Sequence, residues 1–170
     1  MSEIAIKDVP PKTVMSLPFA GSYEQTREKL DHLMSWLLRI GHPWSDHPLG
    51  LYYDDPTKTP EDELRAEVCL PMEEECEPQE DIERKTLPAV TVAYALHEGP
   101  VAGISELYAE IFAWLQESDR TYAEDMPTRE VFLKMRGQVD DPAQYVTEVQ
   151  VPLAPIAESE QQDESQGIEG

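Results

Sequence analysis

The sequence predicts an α+β fold built from two copies of a strand-helix-strand-strand unit, and three observations carry that prediction. The chain repeats itself: Gly21 is followed fifteen residues later by Trp36-Leu37, and Gly99 fifteen residues later by Trp114-Leu115. A shift of 78 lays GSYEQTREKLDHLMSWL on GPVAGISELYAEIFAWL. Under that shift Leu30, Leu33, Met34 and Leu37 fall on Tyr108, Ile111, Phe112 and Leu115, each set following one helix face. Further on, GLYYDD resembles REVFLK, and RAEVCLP (65–71) matches VTEVQVP (146–152) at a shift of 81.

The elements follow in order. KTVMSLPF reads as a strand leading into a helix from about Ser22 to Arg39, which Gly41 and Pro43 stop. A strand around Leu49–Tyr53, a turn at DDPTKTPED and a strand at Leu64–Leu70 complete the first half. In the second half LPAVTVAYAL leads through Gly99-Pro100 to a helix from about Ile104 to Glu117, followed by the strands REVFLKM and QYVTEVQVPL. MEEECEPQEDIERK, between the halves, is acidic and aperiodic and reads as an exposed loop. The stretch 154–170 is acidic, poor in apolar residues and expected to be disordered. Each unit alone buries a marginal core, so the two are expected to join, with a cleft at their seam.

Composition narrows the function. Of 170 residues 40% are apolar, enough for a core, but 35 acidic against 13 basic residues leave a net charge of −22. Duplex DNA binding through phosphates requires a basic face and is not expected. Cys69 and Cys76 do not form a secreted disulfide framework. MSEIAIKDVPPK is not a signal peptide, and no segment approaches the roughly 18 apolar residues of a membrane span. The expectation is a soluble cytoplasmic protein.

Alternation within the matching strands places Ala66, Val68 and Leu70, and likewise Thr147, Val149 and Val151, toward the helices. Glu67 and Glu148 then share the opposite face. If that face is solvated they are ordinary surface charges; if the halves enclose it, a carboxylate in a partly dry cleft needs a cationic partner. Arg65 stands two residues from Glu67, whereas Val146 and Gln150 flank Glu148 without positive charge. Glu148 is therefore the better candidate to meet a ligand.

SLPFAGSYEQTREKLDHLMSWL, followed by LGLYYDDPTKTPEDELRAEVCLP, resembles the first half of GyrI-like small-molecule-binding domains; HEGP, AWL, REVFL and TEVQVP resemble the second. The likeness covers roughly 3–153. The family includes stand-alone proteins similar to the DNA gyrase inhibitor and the effector-binding domains of AraC-type and MerR-type multidrug-responsive regulators. The resemblance implies one domain over 1–153, with repeats at about 11–72 and 86–153, whose concave antiparallel sheet carries helices packed on one face. It also implies an aromatic groove in which Glu148 meets lipophilic cations. No residues remain for a helix-turn-helix domain, so direct nucleic-acid binding is not expected. A similar subfamily hydrolyses cyclopropane-containing alkylating toxins, which leaves an enzyme reading open.

Cage candidates are Tyr52, Tyr53, Tyr94, Trp36 and Trp114, since aromatic faces attract organic cations. Tyr52 and Tyr53 point to opposite sides of their strand, so at most one faces the groove. The tryptophans lie beside the helix stripe, where a core-edge role competes. The four histidines lack ligand spacing for a metal site, and no phosphate loop, dinucleotide fingerprint or nucleophile elbow is present. His97, ahead of the second helix, is a minor candidate for a general base. No cofactor is expected. The leading expectation is a non-catalytic module that binds or sequesters an amphipathic, cationic drug-like or toxic compound through Glu148, Glu67, Tyr52, Tyr53, Tyr94 and Trp114. The alternatives are a hydrolase of electrophilic genotoxins using a groove carboxylate, and a protein–protein modulator with gyrase as partner.

Overall fold

The structure, a computed structural model, describes residues 3–79, 81–135 and 137–155. The acidic tail expected from Ala154 lies, beyond Pro155, outside the described residues. The elements are β1 (Ala5–Val9), β2 (Lys12–Ala20), α1 (Thr26–Arg39), β3 (Leu49–Tyr52), β4 (Arg65–Pro71), β5 (Glu83–Leu87), β6 (Val90–Glu98), α2 (Ile104–Gln116), β7 (Thr128–Lys134) and β8 (Val146–Pro152). Among the described residues the strands form one antiparallel sheet, ordered β1-β6-β8-β7-β3-β4-β2-β5.

The two repeats meet at its centre. Leu49, Gly50 and Leu51 pair with Val131, Glu130 and Arg129, a register symmetric about the Gly50–Glu130 pair. A pseudo-twofold axis passes there and relates β3 to β7 at a shift of 80, one more than the GLYYDD–REVFLK match suggests. The glycines that open each helix correspond too. Gly21 and Gly99 have φ of 105° and 108°, a left-handed conformation that side chains resist. Their N–H groups donate to Leu64 O and Tyr145 O, both at 2.8 Å.

β1 and β5 were not anticipated. A single register runs from Ala5↔Tyr94 through Val9↔Val90 to Lys12↔Leu87 and Ser16↔Glu83. Segments 5–20 and 83–98 are therefore two long strands lying side by side. Their ladder breaks at Pro10-Pro11 and Pro88-Ala89, where proline has no N–H to give. Two residues between Val9 and Lys12 can span no more than about 11 Å, so the sheet has to curl until its outer strands come together. The arm ahead of the first repeat thus completes the second repeat, and the arm ahead of the second completes the first.

Both helices cover the outer face of this curl. Leu30, Leu33, Trp36 and Leu37 of α1 pack on Met15, Leu17, Val68 and Leu70; Leu107, Ile111 and Leu115 of α2 pack on Ala93, Ala95, Val149 and Val151. A third cluster, Val14, Leu49, Leu51, Cys69 and Leu87, fills the centre of the inner face. The segment read as an exposed loop differs from that reading: Cys76 and Ile82 are buried in the first core, and its end forms β5. Flanking charges hid two isolated apolar anchors.

Candidate functional site

Cross-strand partners share a face, so the pairs Tyr94↔Gln150, Leu96↔Glu148 and Val131↔Glu148 put all five side chains on the inner face of the second repeat. Lys7 joins them from β1 through Val92. Its Nζ lies 2.7 Å from Glu148 Oε2 and 4.2 Å from the centroid of the Tyr94 ring. Gln150 Nε2 donates to the same glutamate oxygen at 2.6 Å. The Glu148 side chain is 12% exposed and borders a cavity of about 270 Å³, lined also by Lys7, Leu49, Val131, Leu133 and Gln150. Leu96, 49% exposed, extends an apolar surface from it.

Glu67 occupies the matching place in the first repeat and is more enclosed. Ser16 Oγ and the Tyr53 hydroxyl both donate to its carboxylate, and Lys85 Nζ lies 2.6 and 2.8 Å from its two oxygens. Burial alone would raise the pKa of Glu67, but hydrogen bonds from Lys85, Ser16 and Tyr53 outweigh it and hold the carboxyl below its ordinary value. Burial, then the bond to Glu67, pushes the Tyr53 phenol up. Burial pushes the neighbouring Cys69 thiol up to about 12. A cleft of about 370 Å³ opens here, between Phe19, Tyr53, Arg65 and Glu67.

The charge partners differ from those that sequence proximity suggested. Arg65 turns to Asp54, to which its Nε and Nη2 donate at 3.0 and 2.9 Å. The arms bring lysines instead, Lys85 to Glu67 and Lys7 to Glu148. Neighbours along a strand alternate faces or sit two positions away, while a cross-strand lysine arrives on the same face.

The remaining candidates divide by face. Tyr53, the residue after β3, is inward with Glu67. Tyr52 is on the helix side, where its hydroxyl shares a hydrogen bond with Thr26 at 3.0 Å and its ring meets Tyr23 edge-on at 4.8 Å. Gly50 leaves room for that ring, since a Cβ there would lie 2.7 Å from the Tyr52 hydroxyl. Trp114 packs on the second core, and Trp36 is buried in the first with its Nε1 donating to Gln79 at 3.1 Å. Neither tryptophan joins the inner-face group. His97 Nε2 bonds Pro100 O at 2.8 Å, in the turn before α2. Among the described residues no group of three or more His, Cys, Asp or Glu could hold a metal ion, and no helix is long and apolar enough to cross a membrane.

Glu130 faces the helices at the seam, where the Tyr108 hydroxyl donates to its Oε2 at 2.6 Å. Burial pushes its carboxyl up to about 7.

Lys7, Lys85, Ser16 and Arg129 escaped the sequence reading. The shift of 78 already lays Lys7 on Lys85; extending the repeat alignment upstream would have found both. Arg129 lies on the inner face between Leu51 and Gln150, where the first repeat has Leu49 under the shift of 80. A charge replacing a leucine was its signal.

The comparisons with known proteins agree with this architecture. The model of the GyrI-like small molecule binding domain matches residues 2–154. "DNA gyrase inhibitor 2" of Dickeya dadantii (strain 3937) is 39% identical over 66 residues, a match spanning 38% of this chain and 41% of that protein's length. The C-terminal domain of EcmrR superposes with a TM-score of 0.79 at 20% identity, covering 92% of this chain and 99% of that domain. SAV2435 bound to tetraphenylphosphonium superposes with a TM-score of 0.58 at 11% identity, covering 90% and 94%. Curled sheet, duplicated repeats and family match together identify the chain: it belongs to the GyrI-like small-molecule-binding domain family.

Proposed function

We propose that this protein binds an amphipathic small molecule at the Glu148 cleft, and that a cationic group of that ligand takes the position Lys7 holds on Glu148 and Tyr94. The supporting observation is that position itself. An ammonium already rests 2.7 Å from the carboxylate and 4.2 Å from the ring centroid, so the site has the two features a cation seeks. Leu96, Val131 and Leu133 offer apolar contact beside it. Lys7 is 37% exposed and sits on an outer strand, from which its flexible side chain can swing to solvent. The ligand exchanges with a resident cation and leaves no charge unpaired.

Tetraphenylphosphonium, found bound to SAV2435, is a suitable probe. Titration calorimetry should show binding to the wild type and roughly 10-fold weaker binding to Glu148→Gln, because one charged contact is lost. Equal affinities would remove Glu148 from this role. A hydrolase would use a groove carboxyl as general acid or, ionised, as a base for water; Glu130, which burial pushes up to about 7, faces the helices and not the groove. The likeness to a DNA gyrase inhibitor favours a second reading, modulation of gyrase. A supercoiling assay unchanged by added protein would retire it.

A further inference from the structure

Arg129 is the inner-face charge that neither glutamate accounts for. It is 5% exposed, and its hydrogen bond among the described residues is from Nη2 to Pro88 O at 3.2 Å. A guanidinium offers a fork of donors, most of which that one carbonyl leaves unused. No carboxylate oxygen among the described residues comes within ion-pair distance of it. The two inner-face carboxylates are each engaged by a lysine, Glu67 by Lys85 and Glu148 by Lys7. Lys12, beside the same cavity, is paired with Asp46 at 2.8 Å, so among these cations Arg129 is the one with no ion pair among the described residues.

A buried cation without a partner is costly and calls for an anion. Beside it stands an unmet acceptor. Gln150, paired across the strands with Arg129, is 4% exposed and has its Oε1 buried without a hydrogen-bond partner among the described residues. Gln150 also lines the cavity that Glu148 borders. Arg129 is its cross-strand neighbour, one position behind the cavity wall that Gln150 forms.

Resting on the ligand site proposed above, we infer that Arg129 is a specificity-determining residue that pairs with an anionic group, so that the ligand is a zwitterionic amphipath. Its anionic group meets the guanidinium, and its cationic end lies toward Glu148. The net charge of −22 argues against a simple anion, which the whole chain repels. A zwitterion brings no net charge into that field.

Rhodamine B, with a free carboxylate, and its ethyl ester, a cation of nearly the same shape, separate the two charges. Fluorescence anisotropy should show wild type binding rhodamine B more tightly than the ester. Arg129→Gln should weaken rhodamine B by about 10-fold or more, as expected for a charge-assisted contact, and move the ester by less than about 3-fold. Arg129→Lys keeps the charge without the fork and should fall between. Loss of both dyes together, or of neither, overturns the inference. If thermal unfolding shows Arg129→Gln misfolded, the wild-type preference and Arg129→Lys decide, and a wild type that prefers the ester overturns it. If neither dye binds wild type, the cleft reading itself fails. If the ester binds and depends on Glu148 but Arg129 has no effect, only the present inference fails.

Discussion

Replacing Lys7 with methionine should tighten the binding of a lipophilic cation. In the free protein the Lys7 ammonium engages Glu148 at 2.7 Å and the Tyr94 ring at 4.2 Å. A cationic ligand that takes this place first has to displace it. A charge-assisted hydrogen bond is worth about 1.5–3 kcal/mol and an exposed cation–π contact about 0.5–1. Lys7 is 37% exposed, so solvent screening reduces the total to about 1–2 kcal/mol. Lys7→Met removes that cost, and the apolar stem still covers the strand. Affinity for tetraphenylphosphonium should therefore rise about 5- to 30-fold. Titration calorimetry of both proteins at one ionic strength reads it directly, since salt screens such exposed pairs. Unchanged or weaker binding by Lys7→Met would refute the idea that the lysine competes with the ligand.

Two further predictions concern the seam behind the cleft. Glu130 has its ordinary value of 4.5 raised to about 7 by burial, so between those values the folded protein holds a proton that the unfolded chain has released. That stabilisation is complete below about pH 4.5 and is lost as the pH rises through about 7, by up to about 3 kcal/mol. Glu130→Gln should accordingly be more stable than wild type at pH 8, with the gap closing near pH 5; denaturation curves whose separation ignores pH would contradict this. Gly50→Ala should cost about 1–3 kcal/mol by overpacking, because its Cβ would lie 2.7 Å from the Tyr52 hydroxyl and push that ring off Thr26 and Tyr23. A denaturation midpoint equal to wild type would show that the ring has another place to go.

What was legible in the sequence was what the repeat preserves. Gly21 and Gly99 hold the same left-handed turn, and the apolar stripes of α1 and α2 mark the outer cores. The inward direction of Glu67 and Glu148 followed from alternation alone. The arms were illegible because AIKDV and ERKTL are charged and largely exposed, with too few buried residues to leave a period. Pro10, Pro11 and Pro88 interrupt the ladder between the long strands, so no continuous pattern runs across them. Pairing across the curl decided the site's charges, and sequence distance is silent on that. Hence Arg65 looked like the partner of Glu67, and Arg129 was overlooked among the residues of a repeated strand.

The exchanged arms give the molecule a reciprocal dependence. The lysine that closes each carboxylate is carried by the arm preceding the other repeat, so neither repeat completes its own ion pair. Copying the unit divided one site's parts between two places instead of providing a spare. A change near Ala5 is felt at Glu148, at the far end of the described chain, and anything joined ahead of that residue bears on the cleft. Severed between the repeats, each piece would carry away the lysine the other one needs.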